Sequence, residues 1–209
     1  YNQAADTATL QQTGLSEVQP YLDRIDAVKS LDEMNALLAT EDFPFSPFIM
    51  ANLTVNDTRT TNIVAINPNF IMSDALLTGG TYYQDSDDPQ TQQNMEAHLM
   101  NAISMPLVDL MAAGMTKEEI SAATKQLINF EKDHGKYADS SSTYLKADYG
   151  EMAKATRESY FTPDELYALS TNYPLKATLE KLGKGGSKTY VVTKAWLEAF
   201  NKLWTEDNL

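Results

Sequence analysis

Thr193-Lys194-Ala195-Trp196-Leu197-Glu198-Ala199-Phe200-Asn201-Lys202-Leu203-Trp204 sets the character of this chain. Trp196, Leu197, Phe200, Leu203 and Trp204 recur at the three- and four-residue spacing that gathers side chains on one face of an α-helix. Thr193 stands in front as a cap, because its hydroxyl can accept from a free N–H of the first turn. The stripe from Trp196 to Trp204 fits a core-facing helix better than a platform for sugar. Just upstream, Tyr190-Val191-Val192 predicts one short strand, and Gly183-Lys184-Gly185-Gly186 predicts a turn.

Further out, other helix starts repeat the same logic. Thr162-Pro163-Asp164-Glu165 has a capping residue, a proline where no N–H is needed, and acids facing the positive end of the helix. Thr116-Lys117-Glu118-Glu119 has capping-box spacing and opens a helix with Ile120, Ala123, Leu127 and Phe130 inward. Residues 90–113 carry apolar side chains at helical spacing, with a kink expected at Pro106 and an end at Gly114. Residues 67–90 read as a long loop, and 135–150 are ambiguous around the serine run Ser140 to Ser142.

The N-terminal part reads helical as well. Ser16-Glu17-Val18-Gln19 and Ser30-Leu31-Asp32-Glu33 both have capping-box spacing. The first is followed by Leu22, Ile25 and Val28 on one face, the second by Met34, Leu37 and Leu38. Phe43-Pro44-Phe45-Ser46-Pro47 ends this part, because two prolines forbid a continuing helix. Between residues 48 and 70 the pattern changes to β-formers, Leu53 and Val55 on one side and Ile63, Val64 and Ile66 on the other. Asn56 to Thr60 between them is turn-like, so the segment reads as a hairpin. A lone hairpin is marginal in water, so it is expected to lie against the helices. The fold class that follows is mainly α: one helical domain over residues 1–209 with one small β-hairpin.

Composition narrows the function. A length of 209 residues with 43% hydrophobic and 22% charged content is enough for a packed core. Twenty-nine acids against 16 bases leave a net charge of -13, which argues against nucleic acid and against anionic lipid as partners. Cysteine is absent, which excludes disulfides and thiolate metal sites. No apolar run approaches the roughly 20 residues of a membrane span. The chain opens with Tyr1-Asn2-Gln3, without an initiator Met or a signal peptide, as expected of a processed protein or of part of a longer one.

Chemistry-bearing motifs are missing. The two histidines, His98 and His134, are 36 positions apart, whereas an H-E-x-x-H zinc motif needs two His four apart on one helical face. Both read as ordinary helix histidines. No G-x-S-x-G elbow exists for a serine hydrolase. The turn from Gly183 to Thr189 fails the phosphate-loop spacing, since Ser187 precedes Lys188-Thr189. Asp85-Ser86-Asp87-Asp88 lacks the glycine and closing Glu of a calcium loop and reads as a solvated acidic loop. Asn52-Leu53-Thr54 and Asn56-Asp57-Thr58 match the glycosylation sequon, which is common by chance. The residues therefore offer no catalytic, cofactor-binding or metal-ligating set.

Several segments, taken in order, resemble the N-terminal region of the neprilysin and bacterial oligoendopeptidase O family. Gly14 to Ser30, with Ile25-Asp26-Ala27-Val28-Lys29-Ser30, is similar to the family's "P-L-x-x-x-L-x-x-I-D-x-I-K-S" stretch. The hairpin from Asn52 to Asn67 resembles its paired strands, and Gly80-Thr81-Tyr82-Tyr83 its "L-P-x-R-D-Y-Y" segment. Phe161-Thr162-Pro163-Asp164-Glu165-Leu166 sits where the family has "N-x-M-T-x-x-E-L". Tyr190 to Val192, the last helix and Thr205 to Leu209 keep the family's order of strand, helix and connector. The Pro and Arg before the tyrosine pair are missing, and Phe161 replaces the expected residue before Thr162.

The resemblance implies a non-catalytic helical lobe of a larger zinc endopeptidase, one that closes over the catalytic lobe and restricts substrates to peptides. It implies that zinc belongs to a catalytic C-terminal portion of the same polypeptide, which is then the natural partner, together with peptide substrates. The family's H-E-x-x-H, E-x-x-x-D and N-A-Y/F segments have no counterpart here: Asn35-Ala36 is followed by Leu37, and Asn101-Ala102 by Ile103. This chain alone is thus expected to hydrolyse nothing. An extracytoplasmic location, secreted or surface-anchored, is expected. Two other readings stay open: a stand-alone binding module at the cell surface, and an enzyme with a carboxylate site that spacing does not reveal.

Overall fold

The structure, a computed structural model, describes residues 16–56, 58–69, 114–135, 137 and 159–208. Helix α1 spans Gln19–Asp26 and α2 spans Leu31–Ala39. The α2 start follows its sequence signature: the Ser30 hydroxyl accepts from the Glu33 N–H at 3.2 Å. The Glu33 carboxylate returns to the Lys29 N–H at 2.6 Å rather than to the cap residue itself. Helix α1 departs from expectation. Val18, not Ser16, holds the cap position, and no side chain caps the helix. Pro20 in the first turn explains this, since its fixed φ suits a helix start and it has no N–H to satisfy.

Strands β1 (Ile49–Val55) and β2 (Asn62–Pro68) form the expected antiparallel hairpin, with Leu53 opposite Val64 and Val55 opposite Asn62. Asn56 makes the turn: its side-chain oxygen accepts from the Thr60 and Thr61 N–H groups at 2.8 and 3.1 Å. The hairpin is not left alone. Strand β3 (Tyr160–Phe161) pairs antiparallel with β4 (Tyr190–Val191), and β4 runs parallel to β2. The result is a four-stranded mixed sheet in the order β1-β2-β4-β3. Two-residue strands leave no alternation to read, so β3 was not legible in the sequence.

Helix α3 spans Lys117–Gly135, α4 spans Pro163–Ala168, α5 spans Leu175–Lys181 and α6 spans Lys194–Leu203, followed by a 3-10 turn at Glu206–Asn208. Two reciprocal capping boxes form as expected. Thr116 accepts from the Glu119 N–H while Glu119 accepts from the Thr116 N–H, at 3.2 and 2.7 Å. Thr162 and Glu165 repeat the arrangement at 3.4 and 2.9 Å. These bonds to Thr116 and Thr162 hold both carboxyls below the usual glutamate range. Thr193 sits at the α6 cap position, but its hydroxyl makes no capping bond. Helix α5 is not legible in the sequence. Its cap position is Pro174 with no side-chain bond, so it carries no start signal of the usual kind.

The core gathers on α6. Trp196, Leu197 and Phe200 are fully buried against Leu37 and Leu38 of α2, Val64 and Ile66 of β2, and Leu175 and Leu179 of α5. Lys181, at the end of α5, gives its ammonium to the carbonyls of Leu38, Phe43 and Phe45, tying α5 to the end of α2. Burial there pulls the Lys181 pKa below the usual lysine value. The expected inward face of α3 needs correction. Ile120 is buried and Leu127 and Phe130 are half-buried, but Ala123 is exposed. The buried row continues instead through Thr124, Ile128, Glu131, His134 and Gly135. Three of these are polar or charged, so an apolar count rotated the face away from its true centre. The residues of the expected helix with Pro106, the acidic loop and His98 lie outside the described residues.

Candidate functional site

Helix α3 meets α6 around His134, which is 2% exposed. The Trp196 indole donates to His134 Nδ1 at 2.9 Å. The proton of a neutral imidazole must then sit on Nε2. Phe130 and Phe200 stand edge-on to the imidazole at 5.2 and 5.3 Å. Removal from water drives the His134 pKa down to about 4, so the ring is neutral at ordinary pH. An imidazole whose Nδ1 lone pair accepts an indole proton is a core group, not a zinc ligand through that atom. Among the described residues no three His, Asp or Glu side chains converge to hold a metal.

A groove opens on the other side of this aromatic cluster. It has a volume of about 510 Å³ and runs between Met34 of α2, the outer face of α3 and the end of α6. Its floor is Trp204, with Phe48 edge-on at 5.0 Å and Phe130 edge-on to Phe48 at 6.0 Å. The Trp204 indole N–H donates to Asn35 at 2.8 Å, which fixes the ring plane. Asn201 holds the neighbouring Asn172–Tyr173 segment through both backbone N–H groups, at 2.7 and 3.2 Å. Tyr173 in turn packs edge-on against Trp204 at 5.1 Å. The rim is polar, and its charged members among the described residues are Asp133 and Asp207. An apolar hollow of this size with a few convergent polar groups is the usual form of a binding site. Sequence reading placed Trp204 in the core and missed the groove, because Phe48, Phe130 and Trp204 come from three distant segments.

A smaller hollow of about 340 Å³ lies between Leu53 and Val64 of the hairpin and the turn carrying Lys184 and Lys188. The turn reading holds: Gly183 has φ +68, a left-handed conformation that suits glycine. Asn52 lies within β1 and Asn56 holds the hairpin turn, so the second sequon asparagine has a structural task. Among the described residues no helix is long and apolar enough to cross a membrane.

These elements are an N-terminal helix pair, a hairpin, and a helical part closed by strand and helix. The N-terminal model of Peptidase family M13 matches residues 1–209, and the chain belongs to that family. It is an N-terminal region of a neprilysin-like peptidase. No curated protein matches it. Among solved structures it is similar to the Mycobacterium tuberculosis zinc metalloprotease Zmp1 in its open state, with a TM-score of 0.66 at 15% identity. The alignment covers 96% of this chain and 29% of Zmp1, so the chain spans under a third of that relative's length. At that identity the likeness speaks to the fold.

Proposed function

We propose that residues 1–209 form one lobe of a zinc metalloendopeptidase, contribute no catalytic residue, and enclose the chamber that restricts substrates to peptides. The observation that carries this reading is the family match over the whole chain, in a sequence whose two histidines cannot form an H-E-x-x-H pair. Hydrolysis of a peptide at neutral pH needs an activated water and a stabilised oxyanion. The lobe acts by geometry instead, excluding substrates too bulky to enter. Zinc belongs to the catalytic portion, and that portion is the lobe's partner. The same reading places the protein outside the cytoplasm, secreted or attached to the surface.

The test compares the full-length parent with a version lacking residues 1–209. The truncated protein is expected to cleave short peptides and to admit larger substrates as well. Unchanged size selectivity with retained activity overturns the gating role. Should the truncated protein not fold, a ladder of substrates on the intact parent serves. A sharp upper limit in substrate size supports the enclosure, and ready cleavage of folded proteins overturns it.

A further inference from the structure

The groove floored by Phe48, Phe130 and Trp204 has a chemical signature that points to one class of ligand. Phe48, Leu127 and Phe130 are only half-buried and leave apolar surface open, while Trp204 beneath them is 6% exposed and fixed by Asn35. Such a floor takes an aromatic or branched aliphatic side chain, with ring edges and faces available for offset or edge-on contact. The charges on the rim are of one sign. Asp133 and Asp207 are both exposed, and neither is in an ion pair among the described residues. A net charge of -13 adds a long-range field of the same sign.

We propose that this groove is a binding site for a cationic amphipathic peptide segment, an apolar side chain flanked by Lys or Arg. The apolar side chain rests on Phe48, Phe130 and Trp204, and the basic side chains reach Asp133 and Asp207. The groove volume of about 510 Å³ accommodates one or two side chains and not a folded partner. A carboxylate rim disfavours acidic segments by like-charge repulsion, so the site discriminates by charge as well as by shape. This rests on the reading of the chain as part of a peptidase, where such a site would retain substrates of that class near the chamber. Binding itself is a property of this chain and is tested apart from the gating experiment.

The protein has two tryptophans, so its indole N–H signals make a two-probe titration by nitrogen-15 NMR. Trp204 floors the groove, and Trp196, bonded to buried His134, is the internal control. The probe is acetyl-Lys-Phe-Leu-Lys-amide at low salt. The comparison peptides carry Glu in place of Lys, or Gly in place of Phe and Leu. The Trp204 signal is expected to move saturably with the basic apolar peptide while the Trp196 signal stays. Both comparison peptides should bind at least fivefold more weakly. The double variant Asp133→Asn with Asp207→Asn should weaken binding at least fivefold, and 0.5 M salt should do the same to the parent chain. Because both carboxylates are exposed, an unchanged melting temperature confirms that the variant folds. Equal affinity for the Glu peptide, an unmoved Trp204 signal, or undiminished binding by the variant overturns the proposal. So does a Trp204 signal that shifts on dilution without peptide, which would make a second copy the occupant. Failure of the peptide to bind the full-length parent overturns it as well, the rest of the polypeptide then being the occupant of the groove.

Discussion

Helix α6 sinks Trp196, Leu197 and Phe200 to complete burial, whereas α1 buries none of its residues, although Leu22 and Ile25 share one face. Both helices carry apolar residues at helical spacing, and α1 leaves Leu22 39% and Ile25 40% exposed. The difference lies in what surrounds each. Helix α6 is enclosed by α3, α5, the sheet and the Tyr173 segment, so every apolar side chain finds several partners. Helix α1 rests on α2 and on the loop below it through Tyr21, edge-on to Phe43 and Phe45 at 6.2 and 5.4 Å, and through the Arg24–Asp42 ion pair at 3.0 Å. Amphipathicity tells which face of a helix would be buried. It does not tell whether anything is there to bury it.

The contrast is broken most directly by truncation. Phe200→Ala should cost about 3–5 kcal/mol, because it removes a fully buried ring and leaves a cavity among Trp196, Tyr173 and Phe48. Urea denaturation with an unchanged slope would measure it. A loss no larger than for an exposed residue would mean that the α6 core is not the stabilising centre.

Acid is the next largest lever and acts on the α3–α6 seam. Burial lowers the His134 pKa to about 4 from an unfolded value near 6.5. Above 6.5 neither state holds the proton and pH has no effect through this group. Between 6.5 and 4 the unfolded chain takes up a proton that the folded one refuses, so stability falls as pH falls, by about 3 kcal/mol in all. Glu119 and Glu165, whose folded pKa values are depressed, add losses of the same sign at lower pH, as they protonate. The window from pH 5 to 6.5 therefore isolates the histidine. Stability measured across that window should slope in the parent and flatten in His134→Phe. A parent curve already flat there would show that burial does not lower the His134 pKa in the folded chain.

Smaller effects sharpen the comparison. Thr162→Ala removes one arm of the capping box on α4 and should cost about 1 kcal/mol, read from chemical denaturation. Ile25→Ser on α1 should change stability by about 0.5 kcal/mol or less, since the side chain lies on an exposed surface. A loss of several kcal/mol at Ile25 would show that α1 is packed far more tightly than its exposure indicates.

What the chain settled by itself was local. Thr116 with Glu119, Thr162 with Glu165, and Ser30 with Glu33 mark helix starts because a cap needs only residues three apart, and all three formed. The hairpin was legible for the same reason, its turn being closed by bonds within residues 56–61, among them those that the Asn56 side chain accepts. Family membership was legible too, since order and spacing of short motifs survive where each motif is weak. Tertiary structure decided the rest. It joined β3 and β4 to the hairpin, started α5 without a cap, and turned α3 so that Thr124, Glu131 and His134 face inward. It also brought Phe48, Phe130 and Trp204 together as the floor of a groove. Burial and concavity arise from surfaces contributed by distant segments, so no window of the sequence contains them. Only packing reveals that a histidine has left water or that three aromatic rings share one hollow.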